Sequence, residues 1–244
     1  MTSPCQLLWF LLAHAFCRGP SRSINGGNRL FIFGVGTLGK AVVKEAQRKE
    51  FLVFDSIAGT TRRDITNDCN QNDVELVSFY NDTSIASHLF DSTHVLITIP
   101  PQEEPHPALL EYKGWLGLVS TTGVYGNHDG AWVTEDAAPT TLNEWASTVF
   151  RCAGLYGNTR SALDTVRRMG HDGTREATSP TSRIHERDAA RAMLACMARG
   201  GTGVYNLADD EPASRKCVFA HAARLLEEQG IVVPISTNTA AAST

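Results

Sequence analysis

Apolar residues along this chain come in short runs separated by polar or turn-forming stretches, and the runs alternate between two periods. Leu30–Phe33 is a four-residue apolar run that ends on Gly34-Val35-Gly36-Thr37-Leu38-Gly39, after which Leu38, Ala41, Val42 and Ala46 recur at helical spacing. Strand, tight turn and amphipathic helix follow one another here. Lys44, Arg48 and Lys49 fall in the last turns, where positive side chains suit the helix dipole. Further apolar and β-branched runs stand at Leu52–Thr61, Val74–Phe79, Val95–Ile99, Leu116–Thr121 and Thr148–Ala153, with helix-compatible or turn-rich segments between them. Parallel strands need covering crossovers, so this alternation predicts an α/β fold with a doubly wound, mainly parallel sheet in the order 3-2-1-4-5-6. Beyond it, Arg187–Arg199 reads as an alanine-rich helix, Gly203–Leu207 as a short strand and Ser214–Gln229 as another helix.

These patterns divide the chain into an N-terminal extension over residues 1–29, a folded unit over 30–230 and a Thr/Ala/Ser/Asn-rich tail over 231–244. Within the folded unit, a small C-terminal cap is expected over about residues 158–200, built from Arg160–Gly173, Arg183–Arg199 and the last helix. The extension carries an apolar run, Leu7–Ala13, too short to span a bilayer, and then Ala13-His14-Ala15, a pattern of the kind signal peptidase cuts after. Arg18, Arg22 and Arg29 follow among Ser, Gly and Pro, with no acidic residue before Glu45. Together they resemble the bipartite presequences of algal secondary plastids, including Phe16 just past the cut. That resemblance implies a plastid location. A disordered extension on a cytoplasmic protein is the alternative.

With 244 residues, 42% of them hydrophobic and 20% charged, the composition is that of a water-soluble globular domain with no membrane span in its mature form. A formal charge of -4 and a pI near 6.1 give no basic excess for nucleic acid. A small-molecule partner fits better. The six cysteines, at 5, 17, 69, 152, 196 and 217, form no Cys-x-x-Cys, which argues against a zinc site or redox dithiol and suggests small buried residues that stay reduced. No metal ligand set is expected. The sequence also lacks a Gly-x-Ser-x-Gly nucleophile elbow.

The glycine pattern at Gly34, Gly36 and Gly39 stands where a strand hands over to a helix, the context in which such a turn binds a dinucleotide. Gly34 allows the tight turn, Gly36 lets a pyrophosphate approach the backbone, and Gly39 lets the helix pack on the sheet. The free N–H groups around Val35, Thr37 and Leu38 then stabilise an anion. The end of the second strand, Gly59-Thr60-Thr61-Arg62-Arg63, selects the cofactor. An NAD site tends to carry an acid there, about 20 residues past the glycines. Here Thr61 can donate to a 2′-phosphate, while Arg62 and Arg63 can pair with it. NADP(H) is therefore expected over NAD(H). Asp55 would serve as the missing acid if the strand ended earlier, and the arginines would then be a solvated pair.

The glycine turn, the Gly-Thr-Thr-Arg strand end, Ile99-Pro100-Pro101, Ser120-Thr121-Thr122-Gly123-Val124-Tyr125-Gly126, Ala153-Gly154-Leu155-Tyr156-Gly157, Arg183-Ile184-His185 and Tyr205-Asn206-Leu207 occur in that order. From about Leu30 to Gln229 the chain thus resembles the extended and atypical short-chain dehydrogenase/reductases of the NAD-dependent epimerase/dehydratase group, with their NAD(P)-binding Rossmann sheet. The resemblance implies that Ile99, Pro100 and Pro101 border the cofactor, that Leu155 and Tyr156 line its nicotinamide side, and that Thr121 orients a substrate oxygen. It also implies that Tyr125 and Arg183 face a substrate.

Catalytic members use a Tyr-x-x-x-Lys pair on the helix after the fifth strand, where the ammonium lowers the phenol's pKa. This chain lacks it. Tyr125 with Asp129 is no substitute, since a carboxylate would raise the phenol's pKa. After Tyr125 the chain reads Gly126-Asn127-His128-Asp129 and reaches the sixth strand near Thr148 through only Thr134–Trp145, so that helix is expected to be largely missing, with a monomer or weak dimer as the outcome. Arg183 has an alternative use in an ion pair with Glu186 or Asp188. His128 suits a solvated loop, and Trp132 and Trp145 suit either core or cleft wall. Two functions stay open: an oxidoreductase or epimerase acting on a small, sugar-like or phosphorylated substrate, and a cofactor-binding sensor or assembly factor without turnover. The chain also stops soon after Gln229, earlier than extended members of the family do, and a truncated form of an active enzyme would account for both shortened regions.

Overall fold

The computed structural model describes residues 27–63, 74–100, 106–140, 144, 146–158, 160–169 and 178–233. The presequence run, Pro101, Trp145 and the tail from residue 234 on lie outside the described residues. Seven strands form one sheet: β1 (Arg29–Phe33), β2 (Ser56–Thr61), β3 (Val74–Ser78), β4 (His94–Ile97), β5 (Trp115–Thr121), β6 (Thr148–Cys152) and, after three short strands, β10 (Gly203–Leu207). Their order is β3-β2-β1-β4-β5-β6-β10, and each neighbouring pair is parallel. The expected order 3-2-1-4-5-6 is the observed one, and the short strand at Gly203 extends it as a seventh member.

Strand alternation builds two cores. Phe31 and Phe33 point to one face, where they pack with Val77, Val95, Ile97 and Leu118 beneath α2 (Asp82–Asp91) and the single-turn α3 (Pro107–Leu110). Leu30 and Ile32 point to the other, joining Leu96 and Phe150 beneath α1 (Thr37–Ala46) and α5 (Glu186–Ala198). A fully buried side chain of this size contributes roughly 1.5–3 kcal/mol. Helices on both faces make the sheet doubly wound.

Three boundaries differ from the sequence reading. The second strand starts at Ser56, the register partner of Arg29, while Phe51, Leu52 and Phe54 pack sideways on the α1/α5 layer. Ordered structure begins earlier than residue 30, because Asn28 accepts from Asp55 N at 2.8 Å and Arg29 N donates to Thr93 Oγ1 at 2.8 Å. The alanine-rich helix, expected in the cap, instead covers the sheet beside α1: Ala189 and Ala190 are fully buried, and their small side chains let the two helices approach. Between those helices the buried Glu45 carboxylate meets Arg48, Arg187 and Arg191 at 3.2–3.6 Å.

The cap that remains is smaller. The helices α4 (Ala162–Met169) and α6 (Arg215–Glu228) pack on each other around Val166, Ala222, Ala223 and Leu226. Two short pairs lead to them: β7 (Gly154–Tyr156) with β9 (Arg183–His185), and β8 (Pro180–Thr181) with β11 (Ala213–Ser214). No helix among the described residues is long and apolar enough to cross a membrane.

A Cβ on Gly39 would collide with the Gly34 carbonyl oxygen, whereas one on Gly36 meets nothing within 4 Å. Gly39→Ala is therefore expected to destabilise the fold by about 1–3 kcal/mol in urea denaturation, the usual size of an overpacking effect. Gly36→Ala should stay within about 0.5 kcal/mol of the parent.

Candidate functional site

The glycine turn sits at the C-terminal edge of β1, between β4 and β2, and both neighbours hold it. Gly34 has φ of +97°, and a Cβ there would lie 2.6 Å from Ile99 Cγ2. Thr60, fully buried on β2, accepts from Gly34 N at 2.9 Å through Oγ1 and from Val35 N at 2.8 Å through its carbonyl. From the other side Thr98 Oγ1 reaches the carbonyls of Phe33 at 3.0 Å and Gly34 at 2.6 Å. Neither threonine was singled out in the sequence; the signal available was a hydroxyl at the end of an otherwise apolar strand. Gly36 caps α1 without any side-chain hydrogen bond, and the first turn holds no acid. Open space above Gly36 and an uncapped helix start together fit a bound diphosphate. Leu38 is buried and Val35 half-buried beneath the turn, and Thr37 begins the helix.

At the end of β2, Arg62 and Arg63 are exposed and Thr61 half-buried. Thr61 Oγ1 accepts from Arg63 N at 3.1 Å, which leaves its proton to donate. The Arg62 guanidinium lies 4.8 Å from the centre of the Phe79 ring, just past the end of β3. Asp55, the alternative acid, precedes the first residue of β2 and so lies at the opposite edge of the sheet. Ile99 packs half-buried under Gly34, and Pro100 is exposed beside it.

At the end of β5, Thr121 is exposed and its Oγ1 accepts from Gly123 N at 3.1 Å, capping the 3-10 turn Thr122–Tyr125. Among the described residues between β5 and β6, this turn is the only helical element. Tyr125, implied to face a substrate, is turned inward. It is buried, donating to Asn206 Oδ1 at 2.7 Å and accepting from Arg151 Nη1 at 2.8 Å. Arg151 in turn forks onto Glu144 at 2.6–3.2 Å. Side-chain exposures of 4% for Arg151 and 11% for Glu144 make this a buried ion pair. Burial alone would raise the Glu144 pKa, but hydrogen bonds from Arg151 and Ser120 and the Arg151 charge outweigh it and hold the carboxyl below its ordinary range. Glu135 adds a bond to Asn206 N at 2.7 Å. Arg151 and Glu144 also escaped the sequence reading, since charges 7 residues apart on a strand and a loop share no local period.

Beyond β6, Leu155 is half-buried and Tyr156 is 42% exposed. Tyr156 packs edge-on against His185, with ring centres 5.2 Å apart. Arg183 makes neither expected contact: its guanidinium donates to Thr181 O and Oγ1 at 3.2 Å and to Ala213 O at 2.8 Å, tying β8 to β11. The carboxylate of Glu186 instead accepts from Asn158 N at 3.3 Å. His128 reaches only the Tyr125 carbonyl, at 3.1 Å, and Trp132 is 76% exposed. Cys152 is buried, Cys196 half-buried and Cys217 exposed, so burial is not the common property of the cysteines; it pushes the Cys152 thiol up to about 12 and the Cys196 thiol to about 11.

No family model matches the chain, and no curated protein does. Solved structures resemble it over most of its length. A conserved protein of unknown function from Silicibacter pomeroyi is 29% identical, with a TM-score of 0.66 over 88% of this chain and 84% of that one. The enzyme WbmG from Bordetella bronchiseptica, solved with NAD and UDP, is 14% identical, with a TM-score of 0.66 over 85% of this chain and 80% of that one. UDP-N-acetylglucosamine 4-epimerase from Bacillus cereus is 15% identical, with a TM-score of 0.59 over 82% of each chain. The chain therefore has the Rossmann fold of the NAD-dependent epimerase/dehydratase-like structures, as the ordered motifs implied.

Removing one member of the buried pair strands the other. Arg151→Met is expected to cost about 3–5 kcal/mol in denaturant titration, and Glu144→Gln somewhat less because its amide still accepts from Arg151. Because the folded pKa of Glu144 is depressed, its stabilisation is complete above the ordinary value of 4.5 and fades as pH falls through the lower folded value. Stability measured from pH 6 to pH 3 should thus fall less steeply in Glu144→Gln than in the parent.

Proposed function

We propose that this chain binds NADP(H) and acts as an oxidoreductase or epimerase on a small, sugar-like or phosphorylated substrate. The observation that carries this reading is the glycine turn, fixed by Thr60 and Thr98 with open space at Gly36 and an uncapped helix start behind it. Backbone N–H groups of Gly36–Gly39 would hold the diphosphate, those of Gly34 and Val35 being taken by Thr60. Thr61, Arg62 and Arg63 would hold the 2′-phosphate, with the Phe79 ring keeping the Arg62 fork in place. Bound nicotinamide would supply or accept a hydride. Thr121, exposed at the end of β5, would orient the substrate oxygen.

That WbmG was solved with NAD and UDP supports a nicotinamide dinucleotide and a nucleotide-linked substrate. NADP over NAD is supported by the β2 end, where two arginines stand, while Asp55, the alternative acid, lies at the opposite edge of the sheet. A second reading, cofactor binding without turnover as a sensor or assembly factor, is favoured by one observation: the sequence contains no Tyr-x-x-x-Lys.

Fluorescence titration tests the cofactor directly. Arg62→Glu is expected to weaken NADPH at least about tenfold, equivalent to about 1.4 kcal/mol, while NADH affinity stays level or rises. Equal binding of NADPH and NADH by the parent, unchanged by the substitution, would remove the NADP preference.

A further inference from the structure

The chain carries a formal charge of -4, yet one face of it is basic. The last turn of α1 lies against the start of α5, and there the guanidiniums of Arg48, Arg187 and Arg191 gather on the carboxylate of Glu45 at 3.2–3.6 Å. Glu45 is only 3% exposed, whereas the three arginine side chains stay between 34% and 48% open to solvent. Glu50 meets Arg191 at 2.6 Å. Three guanidiniums thus share two carboxylates, and Glu45 Oε2 accepts no hydrogen bond, so the arginines are collected by charge and keep N–H donors for another acceptor.

Helix geometry extends this patch. Lys40, Lys44 and Arg48 follow one another at i, i+4 on the exposed side of α1, as Arg187 and Arg191 do on α5. Among the described residues, Lys40, Lys44 and Lys49 enter no ion pair. The helix dipole accounts for the cations in the last turn of α1, but Arg187 stands in the first turn of α5, the end where a positive charge is disfavoured. Lys49 is a second exception. Its φ of +58° is a left-handed conformation that glycine adopts freely and a side chain resists. Cations are therefore kept on this face where dipole or backbone opposes them. Arg191 is also held in place, between Glu50 and the Phe51 ring, whose centre lies 5.1 Å from its guanidinium. Part of the array is fixed before anything binds, which lowers the cost of binding.

We infer that the seam between α1 and α5 is a docking surface for an acidic helix of a partner protein. Carboxylates at i, i+4 on such a helix stand about 5–6 Å apart, the spacing at which the cations follow one another on α1 and α5. Glu50 and Asp188, exposed among those cations, select this occupant over a polyphosphate. A nucleic-acid duplex carries a charge every ~1.7 Å of its axis and would run onto both carboxylates, whereas an acidic helix offers separated charges with neutral positions between them. Charge complementarity of this kind makes the complex sensitive to salt. The surface uses none of the residues assigned to the cofactor, so the inference stands apart from the cofactor reading.

Fluorescence anisotropy tests it, with a fluorescein-labelled, alanine-based peptide of about 20 residues carrying Glu at every fourth position. The full chain should bind the peptide in about 50 mM salt and lose at least about tenfold in affinity by about 300 mM. Lys40→Glu combined with Lys44→Glu should weaken binding at least about tenfold, while Arg215→Glu combined with Lys216→Glu, the same change of net charge on α6, should leave it within about twofold. Lys49→Gly should raise the thermal unfolding midpoint and still weaken binding about two- to threefold, a combination that loss of folding does not produce. Single-stranded DNA of about 20 nucleotides and phosphatidylserine vesicles should both bind more weakly than the peptide.

The inference is overturned if the parent fails to bind the peptide at low salt, if the α6 variant loses as much affinity as the α1 variant, or if Lys49→Gly is stabilised with its affinity unchanged. Tighter binding of the DNA or the vesicles than of the peptide overturns it as well, since the occupant would then be a phosphate-bearing polymer or surface.

Discussion

At Gly34 the chain turns with a positive φ beneath Ile99, where a side chain would not fit, and two threonines hold the turn there. The turn must leave β1, pass over the ends of β2 and β4, and re-enter as α1 within a few residues. Gly34 supplies the positive φ, and Gly39 lets the first helical turn sit against the Gly34 carbonyl. Thr60 accepts the amides that the departing strand can no longer pair within the sheet, and Thr98 donates to the carbonyls on the opposite side. With its polar groups satisfied from both flanks, the turn is held in one shape before any anion arrives. That pre-organisation lets a helix start serve as a phosphate site without a basic side chain.

The second constraint lies at the other end of the same edge. Between β5 and β6 the family to which the motifs compare this chain carries a long helix, and here the described connection holds one 3-10 turn. The sheet face left beneath it is closed by polar groups. Glu144 comes down from the connection onto Arg151 of β6, Arg151 meets Tyr125 beyond β5, and Tyr125 meets Asn206 of β10. A buried ion pair is costly unless each partner is satisfied, and here each partner has at least two hydrogen bonds. The same network withdraws Tyr125 from solvent, while Thr121 and Tyr156 stay exposed.

The strand–turn–helix at Leu30–Ala46, the parallel order of the first six strands and the position of the glycine turn could all be read directly from the sequence. Each follows from local rules: alternating burial along a strand, helical spacing of apolar residues, and glycine where a side chain cannot fit. The likeness to epimerase/dehydratase folds was legible for the same reason, because it was carried by short contiguous motifs. Contacts between distant segments had no such local signature. Only the tertiary structure placed Thr60 and Thr98 on the turn, turned Tyr125 inward onto Arg151, moved the alanine-rich helix from the cap to the sheet, and used Arg183 to tie β8 to β11. In each case the deciding partner lies far along the chain or on another element, where a hydrogen bond or an ion pair depends on how strands and helices stack and not on the residues beside it.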